Sequence, residues 1–541
     1  MTRLFAVLAA GALLAHGQAL KQQLSETAIP RGMTTAELSV LNDPLFRLVL
    51  KTKPNEARFD EVVRLIKGAA GTEQVFVVDE RIVDSARQEA IRRVVVGFKG
   101  NNQGVLDTNV MLSAALTPDS VRPGFIEGWG WDDARGRYNY YRLDKKGGAL
   151  SWKFRGSSLD ADNLTAAQRD GTCMACHLNG GPVMKELPIP WNNWFSFRSQ
   201  PEYLTTGGAN HWPIAEGPHL AVLLGAEDLE ISFILPALRQ FNGRRIQRLI
   251  KSNSPGGAPI TTAGKQQITD GKRALRPLFE TTEYNITSSS NFSGLHPLGD
   301  TGTGPPEDII VPDTYFLNAN LMAGGGVPGY SGIDVPRARS FGSLLVLTPA
   351  EYSGLIAAAG IKLGGKPGDN NFAWFVPDTS HSDNHMVDRL IARGVVTKQF
   401  VAAALAVDIE NPVFSVKRAG LLKFIPATFR FKPRVDESVP AAHPDELTTT
   451  VIAALQATSP TAGSAEADFL ALLKDSDPVK QLRLRVEKYL TREQAALQDA
   501  ATRQAEIKRL FDIVIVRRKE ARTNPRFAPL NEADGLLFAM P

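Results

Sequence analysis

The sequence predicts an α+β chain, a β-rich domain followed by a mainly helical C-terminal region. Three observations predict it. β-Branched and aromatic runs of strand length crowd between Gln74 and Phe154. From Pro478 to about Thr523 the chain reads as one or two long helices, opened by Ser476-Asp477 and stopped before Pro525. Between these regions lie the only two cysteines of 541 residues, Cys173 and Cys176, three positions apart.

Composition narrows the class. Hydrophobic residues make up 43% and charged residues 22%, as in an ordinary soluble globular protein. Lysine plus arginine against aspartate plus glutamate is 61 − 57 = +4, too small a balance to argue for nucleic acid or an anionic membrane as partner. The chain is long enough for several domains with separate cores. Residues 1–19 read as a signal peptide: Arg3 supplies the charge, Leu4 to Ala15 the apolar stretch, and Gly17-Gln18-Ala19 the small residues before cleavage. After it no run of 18 apolar residues occurs, so no transmembrane span is expected in the mature chain. The expected location is the bacterial periplasm or the exterior.

Residues 20–73 read as an N-terminal helical segment, with Thr34 to Leu38 opening one short helix and Glu56 to Lys67 forming another. Residues 74–251 form the predicted domain that carries the cysteines. Its strands are Val75 to Val78, Arg93 to Phe98 and Ala149 to Phe154, with a hairpin formed by Phe125 to Trp131 and Arg137 to Leu143 around Asp132-Asp133-Ala134-Arg135-Gly136. A short polar helix is expected around Asp162 to Arg169, and further helices from 216 to 250. Residues 252–335 read as a long loop-rich region, abundant in Gly, Pro, Ser, Thr and Asn. Residues 336–541 read as a mixed, then helical, C-terminal domain with helices near 349–359, 385–393 and 397–408.

Cys173-Met174-Ala175-Cys176-His177 fits the c-type haem attachment pattern C-x-x-C-H. Each thiol adds to one vinyl group, and His177 is then held against one face of the iron as the proximal axial ligand. One covalent haem c is therefore the expected cofactor, and export agrees with it, since bacteria attach haem to such motifs outside the cytoplasm. The identity of the distal ligand decides the chemistry: methionine or histidine closes an electron carrier, and an empty face makes a ligand-binding or catalytic haem. Met184 lies seven residues after His177, a separation of at most about 23–25 Å when extended, against roughly 15–20 Å needed around a porphyrin edge. His211 and His219, on Pro- and Gly-flanked stretches, and Met322 are further distal candidates. Pro182, Pro188, Pro190, Trp191, Trp194 and Phe195 make a stiff aromatic segment suited either to walling a porphyrin or to an interdomain core. His381 and His385, with Ser382 and Asp383 between them, read as a capped turn and not a zinc site.

The strand–hairpin–C-x-x-C-H order over residues 75–180 resembles the cytochrome P460 and β-type cytochrome c′ families, on Gly128-Trp129-Gly130-Trp131, the hairpin and the motif. Those families usually end soon after the motif, whereas this chain runs on for 541 − 177 = 364 residues. The P460 resemblance implies a lysine cross-linked to haem upstream of the motif, and Lys145, Lys146 and Lys153 stand in that stretch.

Other chemistries lack support. Gly324 to Gly329 spells G-x-G-x-x-G, but no strand precedes it and Pro328 blocks a helix. No G-x-S-x-G elbow occurs. The expected function is single-electron transfer by an exported monohaem cytochrome c, with a redox protein as partner. The alternatives are a haem-dependent oxidoreductase with an open distal site, P460-like or peroxidase-like, and a binding protein in which haem marks one module.

Overall fold

The structure is a computed structural model that describes residues 31–32, 40–56, 59–67, 72–81, 90–99, 108–116, 126–146, 149–158, 172–175, 177, 180–182, 195–196, 223–224, 226–251, 265–280, 309–310, 333, 341–358, 381–412, 414–434 and 444–523. The chain divides between Phe241 and Asn242 into two compact units. The class is α+β: an antiparallel sheet in the first unit and mostly helices in the second.

The first unit is built on β1 (Arg31–Gly32), β2 (Thr72–Arg81), β3 (Ala90–Lys99), β4 (Thr108–Leu116), β5 (Ile126–Asp132), β6 (Arg137–Lys146), β7 (Ala149–Ser157), β8 (Phe195–Ser196) and β9 (Leu223–Leu224). Strands β2 to β7 form an antiparallel meander in chain order, with β1 beyond β7, and β8 and β9 both on β2. Four of the expected strands, β2, β3, β6 and β7, extend beyond their sequence-read cores because ladder pairing recruits charged flanks, as in Asp79 opposite Arg92. β4 was not expected: its Ser113-Ala114-Ala115 stretch has weak strand propensity, and it is held by pairing with β3 and β5 on both sides.

The β5–β6 hairpin closes through Asp133–Gly136, where the Arg135 amide donates to the Asp132 side chain at 3.1 Å. Gly136 has φ +59°, the left-handed conformation this turn requires and glycine adopts without strain.

Side chains alternate along the strands, so each strand feeds both faces of the sheet. One face packs against α1 (Phe59–Lys67) through Val62, Val63 and Ile66, and against a π-helical turn, Phe46–Leu50. The opposite face carries Trp129, Trp131, Tyr138 and Tyr140. It meets α2 (Ala226–Leu229), a π turn (Glu230–Ile234) and the start of α3 (Leu235–Leu249). Leu229, Phe233, Ala237 and Phe241 recur every fourth residue, the spacing that lines up one helical face. The π turn falls just before Pro236, whose missing N–H interrupts the α-helical ladder.

In the second unit a strand, Gln266–Ile268, and α4 (Gly271–Phe279) stand inside the stretch read as loop. Pro277 in the last turn obscures the helical period, and the start is set by Asp270, which accepts from the Arg273 amide at 3.0 Å. There follow α5 (Pro349–Ala358), α6 (His381–Ala392), α7 (Lys398–Ala406), α8 (Val416–Ala419), α9 (Glu446–Ala457), α10 (Ala465–Lys474), α11 (Pro478–Gln498) and α12 (Arg503–Thr523). α7 is buried from Phe400 to Ala406, and Phe279, Phe400 and Phe469 meet edge to face with centroids 5.8–6.3 Å apart. The long helical stretch from Pro478 breaks once, where the Thr502 hydroxyl donates to the Ala496 carbonyl at 2.7 Å.

Candidate functional site

The site lies on the aromatic face of the first unit's sheet. Cys173–Ala175 forms a single 3₁₀ turn, with the Met174 amide donating to the Thr172 hydroxyl at 3.1 Å. The His177 amide donates to the Cys173 carbonyl at 2.9 Å, which ties the histidine back to the start of the motif. Met174 is fully buried among the sheet aromatics and anchors the turn. Cys173 packs at the edge of the same cluster and is partly exposed.

His177 is only 5% exposed. Its Nδ1 lies 2.7 Å from the Gly181 carbonyl oxygen. A carbonyl can only accept, so Nδ1 carries the proton and the neutral ring has its lone pair on Nε2. Tyr140 supports the ring, with centroids 4.7 Å apart and a 40° tilt. The Tyr140 hydroxyl shares its single proton between the carbonyls of Gly180 and Gly181, which lie 2.9 and 2.8 Å away. The Gly180 amide in turn donates to the His177 carbonyl at 2.8 Å. The loop after the motif is thus pinned to β6, and it holds the imidazole in one orientation.

The hairpin supplies the rest of the wall. Trp129 lies opposite Tyr140 across the ladder, and Trp131 opposite Tyr138. The Trp129 and Tyr138 rings meet edge to face at 4.5 Å, and the Tyr138 hydroxyl donates to the Ala237 carbonyl at 3.2 Å. Glycines alternate with these tryptophans because the other face is crowded. A Cβ on Gly130 would stand 2.2 Å from Asp43 Oδ1. Asp43 is wholly buried there; it accepts from the Phe46 amide at 2.9 Å, from Asn139 Nδ2 at 2.8 Å and from the Tyr141 hydroxyl. Burial pushes its carboxyl above the ordinary 3.8 and the Tyr141 phenol well above 10.

Of the residues singled out in the sequence, Cys173 and His177 share this site. Cys176, Met184, His211, His219, Met322, Trp191 and Trp194 lie outside the described residues, as do residues 1–19, Thr34 to Leu38 and Asp162 to Arg169. Phe195 begins β8. Lys145 and Lys146 belong to β6, and Lys153 to β7 opposite Arg142. His381 and His385 lie within one helix, α6, where Asn242 Nδ2 stands 3.4 Å from His385 Nδ1. Among the described residues no group of three or more His, Cys, Asp and Glu is placed to hold a metal ion. Sequence reasoning missed Tyr140 and the Gly181 carbonyl. The period-two pair Tyr138 and Tyr140 signalled a shared face, but a backbone acceptor has no residue-type signature.

No family profile, curated protein or solved structure matches this chain. Among the described residues no helix is long and apolar enough to cross a membrane.

Proposed function

We propose that the chain is an exported monohaem c-type cytochrome that passes single electrons, with haem bound through Cys173 and Cys176 and His177 as proximal ligand. The observation that carries this reading is the 2.7 Å bond from His177 Nδ1 to the Gly181 carbonyl. Metal-ligating imidazoles almost always donate their other N–H to such an acceptor, which fixes the tautomer and raises ligand basicity. The 3₁₀ turn at Cys173–Ala175, the bond from the His177 amide to the Cys173 carbonyl and the flanking aromatic wall suit the same group. Haem when bound supplies a one-electron iron couple. The chain's own residues orient His177, exclude water from its ring and clamp the following loop. An antiparallel meander ahead of the motif supports the likeness to the cytochrome P460 and β-type cytochrome c′ families.

The test is optical. Protein matured with a c-type attachment system is expected to show a haem spectrum whose axial ligation changes in His177→Ala. An unaltered spectrum in that variant would refute the axial assignment. A reduced spectrum unmoved by carbon monoxide supports the carrier, with Met184 or His211 as the ligands to replace next. Rapid carbon monoxide binding would replace the carrier with the open-site oxidoreductase.

A further inference from the structure

The last two helices of the second unit close over a charged cluster. Glu493 stands on α11, and its side chain is wholly buried. Arg492 Nε donates to its Oε1 at 2.9 Å, and Arg509 Nη2, from α12, donates to its Oε2 at 2.6 Å. The same Arg509 nitrogen lies 2.6 Å from Glu506 Oε1, and Arg509 Nε donates to that oxygen at 2.8 Å. Glu410, in the loop after α7, accepts from Arg492 at 3.1 Å and from Arg509 at 3.3 Å. α11, α12 and that loop therefore meet at one knot of side chains.

The knot holds one carboxylate more than its cations can offset. The groups that face it are Tyr489 and Arg492 on α11, and Glu506, Arg509, Arg517 and Glu520 on α12. Asp408 and Glu410 face it from the loop after α7, with Lys417 behind them on α8. α7 itself brings no charge between Phe400 and Ala406, and Asp468 of α10 is taken by Arg485. Lys417 pairs with Asp408. Buried Arg517 donates to Asn411 Oδ1 and the Glu410 carbonyl, and its charge offsets Glu520. Among the described residues that leaves Glu410, Glu493 and Glu506 against Arg492 and Arg509. Glu493 and Glu506 are also hydrogen-bonded to each other. Two carboxylates can only accept, so the pair holds one proton. Burial first, and the Glu506 contact second, push the Glu493 carboxyl from its ordinary 4.5 up to about 7.

We propose that this knot is a proton-operated clasp: one proton shared by Glu493 and Glu506 fastens α12 to α11 and to the loop after α7, and its loss to water releases α12. Without it two carboxylates oppose each other across the contact that joins the helices, one of them buried. A carboxyl raised above its unfolded value contributes fully below about 4.5, and that contribution is lost as pH rises through about 7. The clasp thus holds in acid and loosens above neutrality. It is independent of the haem proposal.

The test is amide hydrogen exchange on the full chain from pH 6 to 9, read as protection factors so that the chemical exchange rate cancels. Protection of α12 is expected to fall by roughly tenfold or more across that range, while α9 in the same unit keeps its own. Glu493→Gln supplies a neutral side chain with an N–H for Glu506, and is expected to flatten the α12 profile. Glu506→Gln, at a more exposed position, is expected to flatten it as well and serves if the first variant does not fold. A flat wild-type profile would overturn the clasp. So would a folded variant that keeps the wild-type slope, or α9 losing protection in step with α12.

Discussion

The two faces of the first unit's sheet put a buried polar group to opposite uses. On one face Asp43 is surrounded by donors from the π-helical turn and from β6. Those bonds tie the turn to the sheet, and the carboxylate's work is structural. On the other face His177 makes one bond through Nδ1 to a backbone carbonyl, which selects a tautomer and aims Nε2. β5 serves both, turning Gly130 toward Asp43 and Trp129 and Trp131 toward the histidine side. A buried group whose acceptors are consumed internally marks architecture. A buried ring that is oriented, and walled by aromatics, marks chemistry.

The largest effect that separates the faces is expected from Asp43→Ala. It strands the Asn139 amide, the Tyr141 hydroxyl and the Phe46 amide. The expected cost is about 3–5 kcal/mol in the urea transition of the first unit, with the haem spectrum of the remaining folded protein unchanged. Gly130→Ala drives a methyl into the same carboxylate and is expected to cost about 1–3 kcal/mol, again without a spectral change. A shifted spectrum in either variant would break the separation.

Tyr140→Phe tests the other face. Losing its hydrogen bonds to Gly180 and Gly181 is expected to cost only about 1 kcal/mol, while loosening the His177 loop enough to alter the axial-ligand spectrum.

The smallest effect is a pH dependence. The folded-state Asp43 carboxyl sits above its ordinary 3.8, chiefly through burial. Its contribution is therefore full below the unfolded value and is lost as pH rises through the folded one. Relative to Asp43→Asn, the wild-type urea midpoint is expected to fall as pH is raised from about 4 toward neutrality. Glu61, held down to about 2 by Arg64 and Lys53, runs the other way and weakens the protein only as pH falls below 4.5. It is common to both proteins and cancels in the difference. A midpoint difference that rises with pH would contradict the Asp43 assignment.

Local chemistry was legible in the sequence, and long-range packing was not. The hairpin could be read because its turn residues and alternating aromatics are contiguous. The meaning of Gly130 could not, since its reason is Asp43, 87 positions upstream. β4 was hidden by Ser113-Ala114-Ala115, which becomes a strand only between two neighbours. α9 and α10 were overlooked although Asp445 and Ser464 cap them, accepting from the Thr448 and Ala467 amides. At the candidate site, spacing alone singles out Cys173 and His177, whereas Tyr140 and the Gly181 carbonyl come into the proposal only once β6 lies beside the motif.

The central claim is that the Cys173–His177 turn carries covalently bound haem. The direct measurement is the intact mass of protein matured with a c-type attachment system, taken after denaturation and acid–organic extraction. Retention of one haem on the wild-type polypeptide, and its loss from the Cys173→Ala, Cys176→Ala double variant, is the predicted result. A wild-type polypeptide that emerges without haem would contradict the account.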